Sequence, residues 1–485
     1  MKKTFRLLAT LATVSMALVS CNKEIPADSV CNTSAGGGAR VISVSFGSST
    51  KSSLDGLQPK FTDGDMILVS NGTSKEECRV SVNGGKTEIT TTLSGNLTAV
   101  YPLAAAKLNA NAIEGVLVPA VQDGTFANAN IAKATMTEGA EKMTFTNQTA
   151  LFKVTPPAGV TSFTVTSLKA DVSGARTGTA VDINTEGADA AAKLVITVTG
   201  KDGDGNAYVS LLEGVKLCDL SFEYAPDETH GAIKGIPGKD IAAAANKLYT
   251  ITGSNWYGYV KIGGLKWATD NLAITESGKR EFKGTGHING DYFQWAAYPG
   301  YCGSSTGSDK GLLIYDSFTS SFSFKGTNNF SIEKISPYYA GAGKGYNDTY
   351  DIEAALKSND DAASIIQGAT WRMPTKDEFN AMKTSTFWAL DATDCGYYVF
   401  NPTAKHVANY LNSGVPADLE KADALLFLPE AGCGYVGELR NSGSHSYYWT
   451  STKQSTTGKS YAVNNHANAS FFDRYYGMSI RPVSN

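Results

Sequence analysis

Four oxygen-bearing side chains, Asp202, Asp204, Asn206 and Glu213, fall at positions 1, 3, 5 and 12 of one stretch, a spacing at which alternate hard ligands can wrap a calcium ion. Ala207 stands where the tight turn of such a loop wants glycine, and extended sequence flanks it. Asp-Gly-Asp-Gly-Asn therefore reads more simply as a hairpin turn, and no metal is expected. The histidines His230, His287, His406, His445 and His466 are widely separated, with neither a His-x-x-x-His nor a Glu-x-x-His pair among them. Each is expected to be a surface or hydrogen-bonded residue. No Gly-x-Ser-x-Gly elbow offers a nucleophile, so no catalytic set, cofactor or enzymatic activity is expected. The cysteines make no CxxC pair, which argues against zinc and iron–sulfur sites. Cys302, Cys395 and Cys433 fall in one expected domain, where either one disulfide or buried thiols would suit them.

The residues best suited to bind a ligand lie between Tyr338 and Tyr350 (YYAGAGKGYNDTY). Tyr338, Tyr339, Tyr346 and Tyr350 offer flat apolar faces, and Asn347 and Asp348 offer adaptable hydrogen bonds, a mixture common in binding loops. The same mixture suits a solvated loop whose tyrosines pack on their own domain, and both readings stand. Tyr435 to Tyr448, with Arg440, Asn441 and His445, has a similar character. Trp267, Trp295, Trp371 and Trp449 are expected in the core.

The elements that hold these residues are read from the whole chain. Its 485 residues exceed one hydrophobic core and suggest about three domains at roughly 150 residues each. With 49 glycines, 23 tyrosines and only 18% charged residues, it reads as loop-rich β structure. A net charge of -4 without a basic run excludes nucleic acid as a natural partner. Lys2, Lys3 and Arg6, an apolar stretch from Leu7 to Val19, and then Ser20-Cys21 form a leader too short to span a bilayer comfortably. Residues 21–40 hold no periodic apolar pattern and include three consecutive glycines, so they form a tether.

From Val41 the pattern alternates, with Ile42, Val44 and Phe46 on one face of a strand. Further strands are expected at Met66–Ser70, Leu97–Tyr101, Leu151–Thr155, Val160–Leu168, Lys193–Thr199, Tyr208–Leu212 and Lys247–Thr252, a spacing that suits β-sandwiches. Pro156-Pro157 is the expected joint between units at 41–155 and 156–253. A third unit, 254–485, is expected to mix strands with helices after Pro374, where Thr375-Lys376-Asp377-Glu378 reads as a capped start, and around Ala404 to Leu411.

Three resemblances add to this reading. Leu18-Val19-Ser20-Cys21 resembles a bacterial lipobox, which implies cleavage after residue 20, lipid attachment at Cys21 and a stable anchor in the outer membrane at the cell surface. Lys51-Ser52-Ser53-Leu54-Asp55, Phe61-Thr62-Asp63-Gly64-Asp65, Tyr101-Pro102, the run Phe145 to Val154 and Lys247-Leu248-Tyr249-Thr250-Ile251 together resemble the fimbrillin family of pilus proteins from Bacteroides-type bacteria. The segments IGGLKWATDNL, GDYFQWA, WRMPTKDEF, LFLPEAGCGY, YYWTST and GMSIRPV resemble the major paralogous domain of Fibrobacter surface proteins, which is similar to the C-type-lectin-like and formylglycine-generating folds. The implied architecture is mainly β, with two fimbrillin-like sandwiches followed by an α+β lectin-like domain.

That resemblance implies an adhesin, at a pilus tip or on the cell surface, that binds a glycan or protein ligand of a host or microbial surface through its C-terminal domain. It also implies strand exchange with other fimbrillin-type subunits after proteolytic processing, for which Arg40 is the candidate; an incidental tether arginine is the equal alternative. Ending at Asn485 just after GMSIRPV, the chain is expected to accept a strand and donate none, which favours the tip. The alternatives are a lipid-anchored glycan-binding module without a pilus role and an enzyme on a formylglycine-generating-like scaffold. Neither active-site cysteine of that enzyme group maps onto this chain, and the Glu-Pro-Asn, Gln-Pro-Asp and Trp-Asn-Asp triplets of calcium-dependent lectins do not occur.

Overall fold

A computed structural model describes residues 38–47, 59–167, 179–181, 194–237, 241–251, 255–274, 278–293, 295, 312–316, 321–324, 356, 361–411, 413–435, 438–454, 459–464, 469–473 and 476–485. The protein is mainly β. In β1 (Arg40–Phe46), Ile42 and Val44 are buried while Val41 and Ser43 face outward, as the period-two pleat requires of a strand packed on one side. β2 (Met66–Ser70), β3 (Lys75–Arg79), β4 (Ser81–Asn83), β5 (Lys86–Thr91) and β6 (Leu97–Tyr101) follow. The chain then departs through β7 (Ala106–Asn109), β8 (Ala112–Val118), β9 (Val121–Gln122) and the one-turn helix α1 (Phe126–Ala129). It returns as β10 (Ala132–Met136) and β11 (Lys142–Asn147).

Strands β1 to β6 with β10 and β11 form an eight-stranded sheet in the order β3-β2-β6-β10-β11-β1-β5-β4. The sheet curls until its distant parts meet, where Glu76 on β3 accepts from the Thr91 hydroxyl at 2.6 Å and the Thr92 amide at 3.0 Å. It encloses one core, capped by a cluster in which Phe61 lies 4.4 Å from Phe46 and 5.2 Å from Tyr101, centroid to centroid. Ile67 and Val69 face this core, whereas Leu68 faces the next one; Leu97, Ala99 and Tyr101 divide from Val100 in the same way. A layer buried on both faces explains why Met-Ile-Leu-Val is a continuous apolar run and not an alternating one.

The second core is built from β12 (Ala150–Val154), β13 (Phe163–Ser167), β15 (Leu194–Val198), β16 (Ala207–Leu211), β17 (Leu220–Tyr224) and β19 (Leu248–Ile251), with β14 (Thr179–Val181) and β18 (His230–Gly235) completing its sheets. Phe152, Val165, Ile196, Val209 and Phe222 fill it, together with Val116, Val118 and Ile131 from the departing segment. Residues 103–131 thus serve the second core although they are inserted in the first. The joint expected at Pro156-Pro157 falls after β12, whose Phe152 and Val154 already belong to that second core.

The C-terminal part opens with the hairpin β20 (Tyr257–Ile262) and β21 (Leu265–Ala268). β22 (Tyr292–Phe293), β23 (Leu312–Asp316) and β24 (Ser321–Phe324) make a small sheet, and α2 (Ala362–Gln367), β25 (Trp371–Arg372) and α3 (Lys376–Ser385) follow. Thr375 caps α3 as expected: its hydroxyl accepts from the Glu378 amide, and the Glu378 carboxylate accepts from the Thr375 amide, a complete capping box. β26 (Phe387–Asp391), β27 (Gly396–Phe400), β28 (Asn409–Leu411) and β29 (Leu426–Pro429) form a four-stranded sheet. β30 (Cys433–Tyr435), β31 (Glu438–Arg440), β32 (Tyr447–Lys453), β33 (Lys459–Asn464), β34 (Ala469–Asp473) and β35 (Val483–Ser484) complete the chain.

The helix expected around Ala404 to Leu411 is not formed. Asn409, Tyr410 and Leu411 instead pair in parallel with Phe387, Trp388 and Ala389, and the Tyr410 ring stacks on Tyr397 at 5.2 Å. A sheet edge and an aromatic partner here outweigh local helical preference. Four tryptophans expected in the core are there: Trp267, Trp295, Trp371 and Trp449 are all at most 1% exposed.

One nine-stranded sheet, ordered β25-β35-β21-β20-β18-β17-β13-β15-β9, runs from the second core into the C-terminal part. The boundary expected at 253/254 therefore lies between strands of a single sheet, because β18 pairs antiparallel with β20 over His230–Ile233. On β20, Val260 and Ile262 join the core beneath α3, while Tyr259 turns to the other face and packs with Ile233 of β18. At the same seam, a Cβ built on Gly368 would lie 2.6 Å from the Cα of Gly235, so both positions need glycine for the backbones to approach.

Candidate binding cleft and processing site

A cleft of about 200 Å³ opens where the large sheet passes into the C-terminal part. Trp256 and Tyr257, at the start of β20, form an apolar wall. The Trp256 indole N–H donates to the Thr155 carbonyl at 3.3 Å and so fixes the ring to the second unit. Asp270 and Asn271 enter from the turn after β21, Lys279 from the following loop, and Gln367 from the end of α2.

The polar groups are held in place by their surroundings. Burial alone would raise the Asp270 carboxyl, but the His287 imidazole 3.4 Å away, the charge of Arg481 and the Ile288 amide together hold it below the usual carboxylate range. It is therefore a carboxylate at neutral pH. Asn271 and Gln367 are each 2% exposed. The Asn271 amide donates to the Asn289 carbonyl at 2.8 Å, whereas its Oδ1, like Gln367 Oε1, is buried with no hydrogen-bond partner among the described residues. Both oxygens are closed to solvent and so lie behind the cleft surface, not on it.

Arg481 supports this cleft from below. Fully buried, its guanidinium donates to the Ala268 carbonyl at 3.1 Å and the Phe427 carbonyl at 2.7 Å, tying β21 to β29. Asp270 and Asn271 lie inside the IGGLKWATDNL segment, where an acid–amide pair directly after a buried strand was the available signal. Trp256 and Gln367 carry no local signal, since only the fold brings residues so far apart in the chain to one wall.

The expected sites distribute differently. Cys21 and the six residues Tyr338, Tyr339, Tyr346, Asn347, Asp348 and Tyr350 lie outside the described residues. In the second aromatic cluster, Tyr447 and Tyr448 are core residues, and Asn441 donates to the Tyr447 hydroxyl at 2.9 Å across a tight turn. Asp202 bonds the amides of Asp204 and Asn206, so the acidic run is a turn. The turn joins β15 and β16 in different sheets and so is not a hairpin. Among the described residues no group of three or more metal-ligating side chains gathers, and no helix is long and apolar enough to cross a membrane. His230, His287 and His406 each rest on a nearby aspartate, and Cys395 and Cys433 are not joined to each other.

Arg40 is the first residue of β1. It is paired with Thr91 on β5, and its Nη2 lies 3.5 Å from the Gly95 carbonyl. Pairing with β11 begins only at Ser43, and Val41 is 57% exposed, so the bond after Arg40 is held on one side alone. A cut there would release Arg40 with the residues before it and leave the rest of β1, from Val41, in its seat. The groove that strand exchange requires would open only if β1 itself departed from between β5 and β11.

No protein-family model matches the chain, and no curated protein matches it. Among solved structures, a "putative cell adhesion protein" from Bacteroides uniformis is 13% identical, with a TM-score of 0.28 over 46% of this chain and 97% of its own. A second "putative cell adhesion protein", from Bacteroides thetaiotaomicron, is 15% identical with a TM-score of 0.24 over 44% of this chain and 93% of its own. A "fimbrial assembly protein" from Parabacteroides distasonis is 10% identical with a TM-score of 0.21 over 46% of this chain and 96% of its own.

Proposed function

We propose that the chain is a non-catalytic surface attachment protein whose C-terminal part recognises a small polar unit of a larger ligand, such as one sugar of a glycan. The observation that supports this reading is the cleft between Trp256 and Gln367. An aromatic wall beside a carboxylate suits a ring that has an apolar face and several hydroxyls. Its volume of about 200 Å³ has room for one such ring. The tether, the lipid anchor at Cys21 and the outer-membrane surface belong to the same proposal.

The test is a glycan array probed with the full chain alongside Asp270→Asn and Trp256→Ala variants. Binding by the wild type, reduced at least tenfold in both folded variants, supports the cleft. Wild-type binding that both variants retain moves recognition elsewhere, to the Tyr338–Tyr350 stretch first. No glycan bound at all refutes the reading.

A second reading, assembly with other fimbrillin-type subunits by strand exchange, is favoured by the seat of β1 between β11, parallel, and β5, antiparallel. A synthetic peptide with the sequence of residues 40–47 should enter that seat in a chain that begins after residue 47. An unchanged melting temperature on adding the peptide would refute it.

A further inference from the structure

Lys283 Nζ lies 2.7 Å from Cys395 Sγ, although 112 residues separate the two. The distance is short for a contact to sulfur: the same thiol lies 3.4 Å from the Ala392 carbonyl and 3.9 Å from that of Thr393. Both partners also adopt backbone conformations that side-chain-bearing residues rarely take. Only five described non-glycine residues have positive φ, and Lys283 at 48° and Cys395 at 53° are two of them. Such conformations persist where the surrounding structure over-determines them, and they concentrate where a side chain must be aimed.

The surroundings leave room for chemistry between the two atoms. Gly443 has φ of +80°, and a Cβ there would stand 3.2 Å from Lys283 Nζ and 3.8 Å from Cys395 Sγ, so its lack of a side chain keeps that side open. Lys283 is exposed, and Cys395 is half-buried in the turn between β26 and β27. Glu430 donates its amide to the Cys395 carbonyl at 2.8 Å. Burial raises its carboxyl, and the nearby Lys283 charge opposes that rise.

We propose that Lys283 and Cys395 form a redox-sensitive covalent cross-link in which one oxygen atom bridges nitrogen and sulfur. The oxidant is dioxygen. The amine gives up one N–H and the thiol its S–H, the O–O bond breaks, and N–O and S–O bonds form. One oxygen becomes the bridge, and the other leaves as water with the two hydrogens released. Four electrons pass from nitrogen and sulfur to the two oxygens, so atoms and electrons balance. Two molecules of a dithiol reductant supply four electrons and four protons, returning the free amine and thiol and releasing the bridging oxygen as water. The bridge would staple the loop after Phe282 to the β26–β27 turn. It would reduce the freedom of the unfolded chain over a long loop, so the oxidised protein should melt several degrees higher.

The experiment uses the full chain, equilibrated with air or with dithiothreitol under nitrogen, digested and analysed by mass spectrometry. The expected result is a peptide joining Lys283 to Cys395, heavier than the sum of its parts by one oxygen and lighter by two hydrogens. Dithiothreitol should abolish it, and so should Lys283→Arg, which keeps the charge. The air-dependent gain in melting temperature should vanish in Lys283→Arg and in Cys395→Ser. A Cys395 found only in a disulfide or as a sulfinic or sulfonic acid, with Lys283 unmodified, overturns the proposal. So does a melting gain that Lys283→Arg retains.

Discussion

Replacing Arg481 with methionine tests whether backbone carbonyl bonds secure the seam below the cleft. The guanidinium holds the Ala268 and Phe427 carbonyls, and both would remain buried without a donor in Arg481→Met, because methionine fills much of the volume and bonds nothing. A hydrogen bond from a charged donor contributes about 1.5–3 kcal/mol, so the two together contribute about 3–6 kcal/mol. Against this stands the relief of no longer burying a charge whose Nε has no partner, on the order of 1–3 kcal/mol. The net expectation is a loss of about 0–5 kcal/mol, centred near 2.5 kcal/mol. Arg481→Lys keeps the charge but reaches only one carbonyl, so it should lose about 1.5–3 kcal/mol. Guanidinium chloride unfolding followed by tryptophan fluorescence is the assay, since Trp267, Trp295, Trp371 and Trp449 are all buried in this part of the chain. The midpoint should fall at unchanged m. An Arg481→Met protein as stable as the wild type, or more so, would show that removing the buried charge compensates for both lost bonds, and the reasoning fails.

Gly235→Ala places a methyl group against the backbone of Gln367 and Gly368, where neither side can yield as a flexible side chain would. A loss of about 1–3 kcal/mol or more is expected, with the C-terminal part becoming separable by limited proteolysis under conditions where the wild type stays whole. Glu378→Ala removes half of the capping box and two bonds from Arg372, at 2.7 and 2.6 Å. Because the pair is about a quarter to a third exposed, about 1–2 kcal/mol is expected, read by denaturant unfolding. Burial would raise the Glu378 carboxyl, but Arg372 and the Thr375 amide hold it below its ordinary 4.5. Its stabilisation is therefore present above pH 4.5 and is lost as pH falls through the lower folded value, so the variant should lose less stability than the wild type on acidification below pH 4.5.

Strands written in alternation or bounded by turn residues were legible from sequence: Met66–Ser70 and Leu97–Tyr101 form over the expected residues, and Leu194–Val198 and Ala207–Leu211 differ by one residue at the ends. The Thr375 cap was legible because Thr and Glu three residues apart satisfy each other's amides locally. What escaped depended on distant partners. Residues 103–131 carry no mark that Val116 and Val118 will pack with Phe152 and Phe222 and not with their neighbours in the chain. Asn409–Leu411 became a strand because β26 presented an edge. The cleft escaped for the same reason, since Trp256, Asp270 and Gln367 meet only once β20 has joined the sheet of β18.

The placement of β1 bears on how the molecule withstands pulling. The residues before Arg40 lead directly into a strand hydrogen-bonded to β5 over Arg40–Ser43 and to β11 over Ser43–Phe46. Tension drawn along that strand's axis would strain these bonds in shear, many at once, whereas a hairpin tugged at its open end surrenders them one after another. A molecule stretched between such an attachment and a captured surface would hold as a mechanical clamp, with a rupture force set by the number of bonds sharing the load.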